Sequence, residues 1–282
     1  MAQVFKEDWA VAMQARLSEK TKWKDFMRVD ISDKYTLHNP YRTDATVGTL
    51  TRYTAYTAAQ VAQTDETVTI DASFYCAEVI DRADLAQSGY LSQMESADNQ
   101  GAMLNEKIES YIYAQHADLT NFGEVSPGVL GLASTAITIT PNNVDSIITG
   151  LSKVISDAKG DALYERHGGF IVWTTQGFEY LTQFEMANGF TAADRALKEG
   201  VTGGHDYMGF THYRSSLLAS GHMIAGVKKL WHLGILKSTY GQIVVDEKDP
   251  GLISGVGITS RLDLKTKAWA KVKPVLFDVN VA

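Results

Sequence analysis

Residues 66–114 read ETVTIDASFYCAEVIDRADLAQSGYLSQMESADNQGAMLNEKIESYIYA, and the change of period inside this stretch decides the architecture. Over Thr67–Cys76 the residues Val68, Ile70, Ala72, Phe74 and Cys76 fall on one side of a two-residue alternation, the pattern of a strand with one buried face. Further on, Met94, Ala97, Gly101, Leu104, Ile108, Ile112 and Gln115 recur at steps of three and four. This spacing predicts a helix over Leu91–Leu119, on the order of 40 Å long at 1.5 Å per residue. Glu95, Asp98, Asn99, Asn105, Glu106 and Glu109 take its polar side. Cys76 sits within the strand alternation and reads as a small buried hydrophobe.

Working toward the N-terminus, Thr46–Thr57 is rich in threonine and tyrosine and pairs with Thr67–Cys76 as a hairpin across the small, polar Ala58–Glu66 connection. Before it, Lys22–Thr46 mixes Trp23, Phe26, Met27, Ile31, Tyr35 and Tyr41 with charges in neither period, and Asn39 is pushed toward extended backbone by Pro40. That stretch predicts an extended arm, preceded by a short amphipathic helix over Phe5–Glu19. An arm of this kind cannot bury its aromatic residues alone. Trp9, Trp23, Phe26 and Tyr35 on the arm, with Tyr53 and Tyr56 on the hairpin, are therefore the candidate contact residues between copies of the chain.

Toward the C-terminus, Ala136–Thr140 is strand-like. Thr140 as N-cap and Pro141 at the first helical position predict a helix with the stripe Val144, Ile147, Ile148, Leu151, Val154 and Ile155. Phe170–Trp173 predicts a buried strand feeding a helix over Phe178, Leu181 and Phe184. The remainder is strand-dominated: Gly209–Ser215, His222–Leu233, Gly257–Leu264 and Ala268–Val279, with Pro274 marking an edge or a bulge.

A chain of 282 residues with one cysteine and a net charge of -7 can form a full core, has no internal disulfide, and lacks the basic balance of a nucleic-acid reader. Charge is unevenly spread, with a slightly basic start and a carboxylate-rich Asp65–Asp118. No stretch has the length of apolar residues that a signal peptide or a spanning helix requires, so a cytoplasmic setting fits. Phosphate-cradle, H-E-x-x-H, C-x-x-C and G-x-S-x-G patterns are all missing. His167, His205, His212, His222 and His232 match no metal-ligand spacing, and Asp246, Glu247 and Asp249 read as a solvated acidic turn. The expectation is therefore no enzyme, no cofactor and no metal site.

The order of elements resembles the Hong Kong 97-type capsid fold of tailed phages. ETVTIDASFYCAEVIDRADLAQSG and MESADNQGAMLNEKIESYIYA are similar to that family's E-loop return strand and spine helix. FIVWTTQGFEYLTQ, GGHDYMGFTHYRSS and GHMIAGVKKLWHLG are similar to steps of its A-domain. The resemblance implies an α+β fold with residues 1–45 as N-terminal arm, 46–80 as E-loop hairpin and return strand, and 81–135 as P-domain with spine helix. Residues 136–255 would be the A-domain and 256–282 the strands returning to the P-domain.

It also implies a major capsid protein of the virion, assembled in the host bacterial cytoplasm into hexamers and pentamers of an icosahedral shell. The packaged double-stranded DNA would be touched weakly and without sequence preference. Scaffolding, portal and decoration proteins are the further partners, and no membrane is involved. The arm starts almost at Met1, which implies a separate scaffold or a matured chain. Cross-linking in one branch of the family needs an E-loop lysine, and Thr46–Thr69 has none, so the implied shell is non-covalent. Three other readings stay open: an encapsulin-type nanocompartment shell, an α+β enzyme should the C-terminal histidines converge on a metal, and a monomeric binding module, which would sediment as a single small species.

Overall fold

The computed structural model describes residues 20–42, 44–45, 47–53, 62–81, 92–126, 129–131, 136–188, 205–246 and 255–282, with single positions at 55, 58 and 60. The expected Phe5–Glu19 helix lies outside them. The Lys22–Thr46 stretch is less extended than its mixed composition predicts. It forms a helical turn α1 (Trp23–Phe26), then strands β1 (Arg28–Ser32) and β2 (Thr36–Arg42). β2 pairs antiparallel with β3 (Gln63–Thr69), so the hairpin stem uses Thr36–Arg42 and leaves the Thr46–Thr57 stretch in the connection beyond it. β4 (Ala72–Asp81) follows after a break at Ile70–Asp71. The inward alternation survives the break, with Val68 and Ile70 buried and Phe74 and Cys76 half-buried.

Two sheets organise the rest. In the five-stranded sheet, β13 (Gly255–Ala268) carries β4 along one edge. Its other edge carries, end to end, β11 (Trp231–Leu236) and β12 (Ile243–Asp246), and β1 adds parallel to β11. The seven-stranded sheet has the order β6-β5-β14-β10-β7-β9-β8, from β5 (Thr120–Ser126), β6 (Val129–Gly131), β7 (Gly169–Trp173), β8 (His205–Tyr207), β9 (Phe210–Arg214), β10 (His222–Val227) and β14 (Leu276–Asn280). Here β7 and β9 are parallel neighbours joined through helix α5 (Thr175–Ala187), whose N-terminus is capped by the Thr174 hydroxyl accepting from the Gly177 N–H.

The spine helix α2 runs Ser92–Ala114, and a turn of 3-10 helix follows at His116–Asp118. Helix α3 (Val144–Asp157) buries Val144, Ile147, Ile148, Leu151 and Ile155, the stripe expected from sequence. Its start differs from expectation. Pro141–Asn143 form a turn, and Asn143, whose Oδ1 accepts the Thr140 N–H, stands at the N-cap in place of Thr140. α4 (Asp161–His167) completes the helices among the described residues.

The faces follow from strand alternation. One face of the seven-stranded sheet presents Ile171, Trp173, Met223, Ala225, Phe277 and Val279 to α3 and α5, closing one core. The other presents Phe170, Val172, Ile224 and Leu276 to a second core shared with Ile108, Ile112 and Tyr113 of the spine and Trp231, Leu233, Ile235, Leu262 and Leu264 of the five-stranded sheet. Polar pegs seat the spine in this core. Gln100 donates to the Ile258 carbonyl and accepts from the Ser260 hydroxyl, and Glu109, completely buried, accepts from the Lys22 backbone N–H and the Tyr113 hydroxyl. The helical period had put Glu109 on the solvent side.

Several strand boundaries also differ from expectation. His222–Leu233 is two strands in two sheets, separated by a turn in which Lys229 adopts φ 62°. That turn clasps α1: the Lys229 N–H bonds to the Phe26 carbonyl and its Nζ to the carbonyls of Lys24 and Met27. Gly226, at φ 155°, lies where a Cβ would come 2.6 Å from the Val275 carbonyl, so β10 approaches β14 too closely for a side chain. Ala136–Thr140 makes only an isolated bridge at Ile137. Pro274 sits in a 3-10 turn, Lys273–Val275, and not in a strand. Sheet membership crosses the expected division at 255/256, because β11 and β12 precede it and β14 follows it.

Two outcomes test this packing. Replacing Glu109 with alanine removes the carboxylate that the Lys22 N–H and the Tyr113 hydroxyl donate to, and should cost about 1–3 kcal/mol or more in urea unfolding of the purified chain. The second concerns His232, whose Nε2 lies 2.7 Å from an Asp30 carboxylate oxygen while its buried Nδ1 has no partner among the described residues. Burial lowers its pKa, against the opposing pull of Asp30. A protonated ring would carry a second N–H with nothing to receive it. In the window below its usual value near 6.5 the unfolded chain binds the proton more readily than the folded one, so stability should fall as pH drops through that range. His232→Gln should flatten this part of the unfolding profile; an unchanged slope would contradict the assignment.

Candidate assembly surface

α1 sets Trp23 and Phe26 three residues apart, hence on one side of a helical turn, and that side faces the chain's own core. Trp23 is 1% exposed and Phe26 fully buried, with the Phe26 ring stacked on Phe170 at 4.7 Å between centroids. Neither can serve as a contact between copies, and the expectation for these two residues is corrected: the seven-stranded sheet and the spine already cover them. Trp9 and Tyr56 lie outside the described residues.

Tyr35 and Tyr53 have the exposure that a contact residue needs. Tyr35, at the turn into β2, is 55% exposed, and Tyr53, in the connection beyond the hairpin stem, is 94% exposed. Val47 and Leu50 on the same connection are likewise open, although the sequence reading passed over them. The Arg52 guanidinium lies over Tyr53, 5.4 Å from the ring centroid.

The stem below is firmly rooted. The Lys271 ammonium bonds to the Arg42 carbonyl and pairs with Asp44 at 2.9 Å, and the Ala270 N–H donates to Glu66. Leu37 from β2 fills the space over Gly234, where a Cβ would meet its Cδ1 at 2.5 Å. A fixed stem therefore holds up a loop with apolar, uncovered side chains.

A second exposed apolar area lies on the face of the five-stranded sheet turned away from the spine. Register places Tyr75 opposite Arg261, Ala77 opposite Thr259 and Val79 opposite Gly257, with Val244 opposite Thr259 from the other edge. Tyr75, Val79 and Val244 are all exposed. The signal for this area was present in β4, ASFYCAEVID, which carries apolar residues in both phases of its alternation and not in one alone. Among the described residues there is also a cluster of His116, His222 and Asp278 where the spine's end meets the seven-stranded sheet.

No protein-family model and no curated protein sequence matches the chain. Solved structures do. A protein of Mycobacterium phage Che8 superposes with a TM-score of 0.72 at 13% identity, covering 98% of this chain and 97% of that one. A chain from the capsid of Ralstonia phage GP4 superposes at 0.69 with 8% identity over 98% and 95% of the two chains. One from the capsid of an empty GTA particle superposes at 0.67 with 12% identity over 99% and 95%. The chain thus has the α+β capsid fold expected from the order of its elements, across its whole length.

The two kinds of aromatic position should separate in unfolding of the purified chain. Trp23→Ala should lower the unfolding free energy by about 3–5 kcal/mol, as truncations of a buried large aromatic do. Tyr53→Ala should change it by less than about 0.5 kcal/mol, because the ring touches little of its own chain.

Proposed function

We propose that this chain is the major capsid protein of a tailed bacteriophage, a structural subunit without catalytic activity that self-assembles into hexamers and pentamers of an icosahedral head around double-stranded DNA. The observation that carries the reading is the rooted hairpin whose outer loop holds Val47, Leu50 and Tyr53 clear of the chain's own body. Burying such side chains yields about 1.5–3 kcal/mol each, and a neighbouring copy is the partner a closed shell supplies. The full-length likeness to phage and particle capsids supports the same reading.

In these terms the β2–β3 hairpin and its loop are the E-loop and α2 is the spine. The five-stranded sheet, including β11 to β13, is the peripheral domain. The seven-stranded sheet with α3 to α5, completed by β14, is the A-domain. Tyr35, Tyr53 and the Tyr75–Val244 area are the contacts between subunits, and the absence of lysine from residues 46–69 favours a non-covalent lattice. A net charge of -7 suits a wall that lets DNA enter and leave, because the 33 carboxylates outnumber the 26 Lys and Arg residues and repel the phosphates. Assembly takes place in the host cytoplasm, and scaffolding, portal and decoration proteins are the further partners.

Negative-stain microscopy of the expressed protein tests the proposal. Wild type should form closed particles or capsomer rings. Val47→Ser, Leu50→Ser and Tyr53→Ser combined should leave folded subunits that fail to close. Normal particles from the triple variant would remove the loop from the mechanism, and a wild type that stays monomeric would remove the shell.

A further inference from the structure

The three residues of the cluster come from separate elements. His116 opens the 3-10 turn after the spine helix, His222 is the first residue of β10, and Asp278 lies in the middle of β14. Asp278 pairs with Ile224 across the β10–β14 ladder, so His222, two residues before Ile224, is its diagonal neighbour on the same face. His116 Nδ1 lies 2.9 Å from Asp278 Oδ2, and His222 Nδ1 lies 2.9 Å from Oδ1 and 3.2 Å from Oδ2. The two imidazole rings are 3.9 Å apart at their centroids. Asp278 is buried and both histidines are partly so.

We propose that His116, His222 and Asp278 form a site for a divalent transition metal of the zinc class. Two imidazole nitrogens and one carboxylate, without thiolate, are a donor set that zinc, cobalt and nickel accept. All the ligand atoms lie within 4.8 Å of one another. With metal–ligand bonds near 2.0–2.1 Å, tetrahedral neighbours stand about 3.3 Å apart, so the pairs at 2.9 Å need to open by only a few tenths of an ångström. Both Nδ1 atoms already point at the carboxylate. Binding would replace the protons they share with it, and water or a neighbouring subunit can supply a further ligand. Because the ligands are separated by 162 and 56 positions from Asp278, one ion would tie the end of the spine to the centre of the seven-stranded sheet. The sequence gives no hint of this, since none of these spacings forms a motif and His116 lies far from the C-terminal histidines.

The proposal does not rest on the shell reading, because the ion is bound within a single chain. Cobalt(II) is the probe. Purified protein, assembled or not, is stripped with chelator, dialysed and titrated with Co2+, followed by visible absorption and by metal content. We expect one Co2+ per chain with the strong d–d bands of a tetrahedral site, displaced by Zn2+. In thermal unfolding, Zn2+ at a hundredfold excess over its Kd should raise Tm by about 5 °C. His116→Gln, His222→Gln and Asp278→Asn should each abolish the bands, with circular dichroism checking that the fold is kept. His38→Gln is the control, since His38 pairs with Asp65 at 2.6 Å and the pair has no third ligand among the described residues, and it should leave the bands intact. Absent bands, bands that survive in all three ligand variants, or bands that vanish in His38→Gln would show a hydrogen-bonded His–Asp–His group and overturn the metal site.

Discussion

The spine helix has to bury one face against two sheets at once, and the remainder of the structure is arranged around that requirement. Ile108, Ile112 and Tyr113 share one core with the five-stranded sheet and the underside of the seven-stranded sheet, and α1 enters the same core through Trp23 and Phe26. Apolar packing alone would leave the helix free to slide along its axis. The directional bonds of Gln100 to β13 and of Glu109 to Lys22 and Tyr113 set its position. Such buried polar groups add little net stability when satisfied, yet they penalise every register in which they would go unpaired.

With the spine, sheets and arm root satisfied internally, what is left over defines the outward character of the molecule. The hairpin stem is tied to residues 270–271, while its loop displays Val47, Leu50 and Tyr53, and the outer face of β4 and β12 displays Tyr75, Val79 and Val244. These are separate areas, and in the shell we propose one copy would engage several neighbours through them. Modest contacts would suffice in that arrangement, because each contact made raises the effective concentration for the next.

Much of the fold was legible from residue pattern. The period of 3.6 over Met94–Ile112, the stripe of Val144–Ile155 and the apolar run Phe170–Trp173 each name a single element, since burial on one face or all round leaves a regular trace. What escaped the pattern has physical causes. The apolar character of His222–Leu233 resumes at once after Lys228 and Lys229, so the stretch reads as one strand, and only that pair of lysines marks the turn that moves the chain from one sheet to the other. Glu109 falls on the polar arc of an isolated helix, and only the arrival of Lys22 and Tyr113 makes its burial tolerable. No local period covers Trp23 and Phe26, so they read as contacts for neighbouring copies, whereas Phe26 packs on Phe170 and Tyr213, distant in the chain, and Trp23 joins the same core. The exposed side was read in part: Tyr35 and Tyr53 stand out as aromatic residues in polar surroundings, but Val47, Leu50 and Tyr75 do not.

Hydroxyl-radical footprinting of the same preparation before and after assembly tests the central claim most directly. If adjoining copies cover the hairpin loop, Tyr53 and Leu50 should be oxidised readily in free subunits and protected in particles, while Trp23 stays protected in both. Equal oxidation of Tyr53 and Leu50 in the two states would contradict the account.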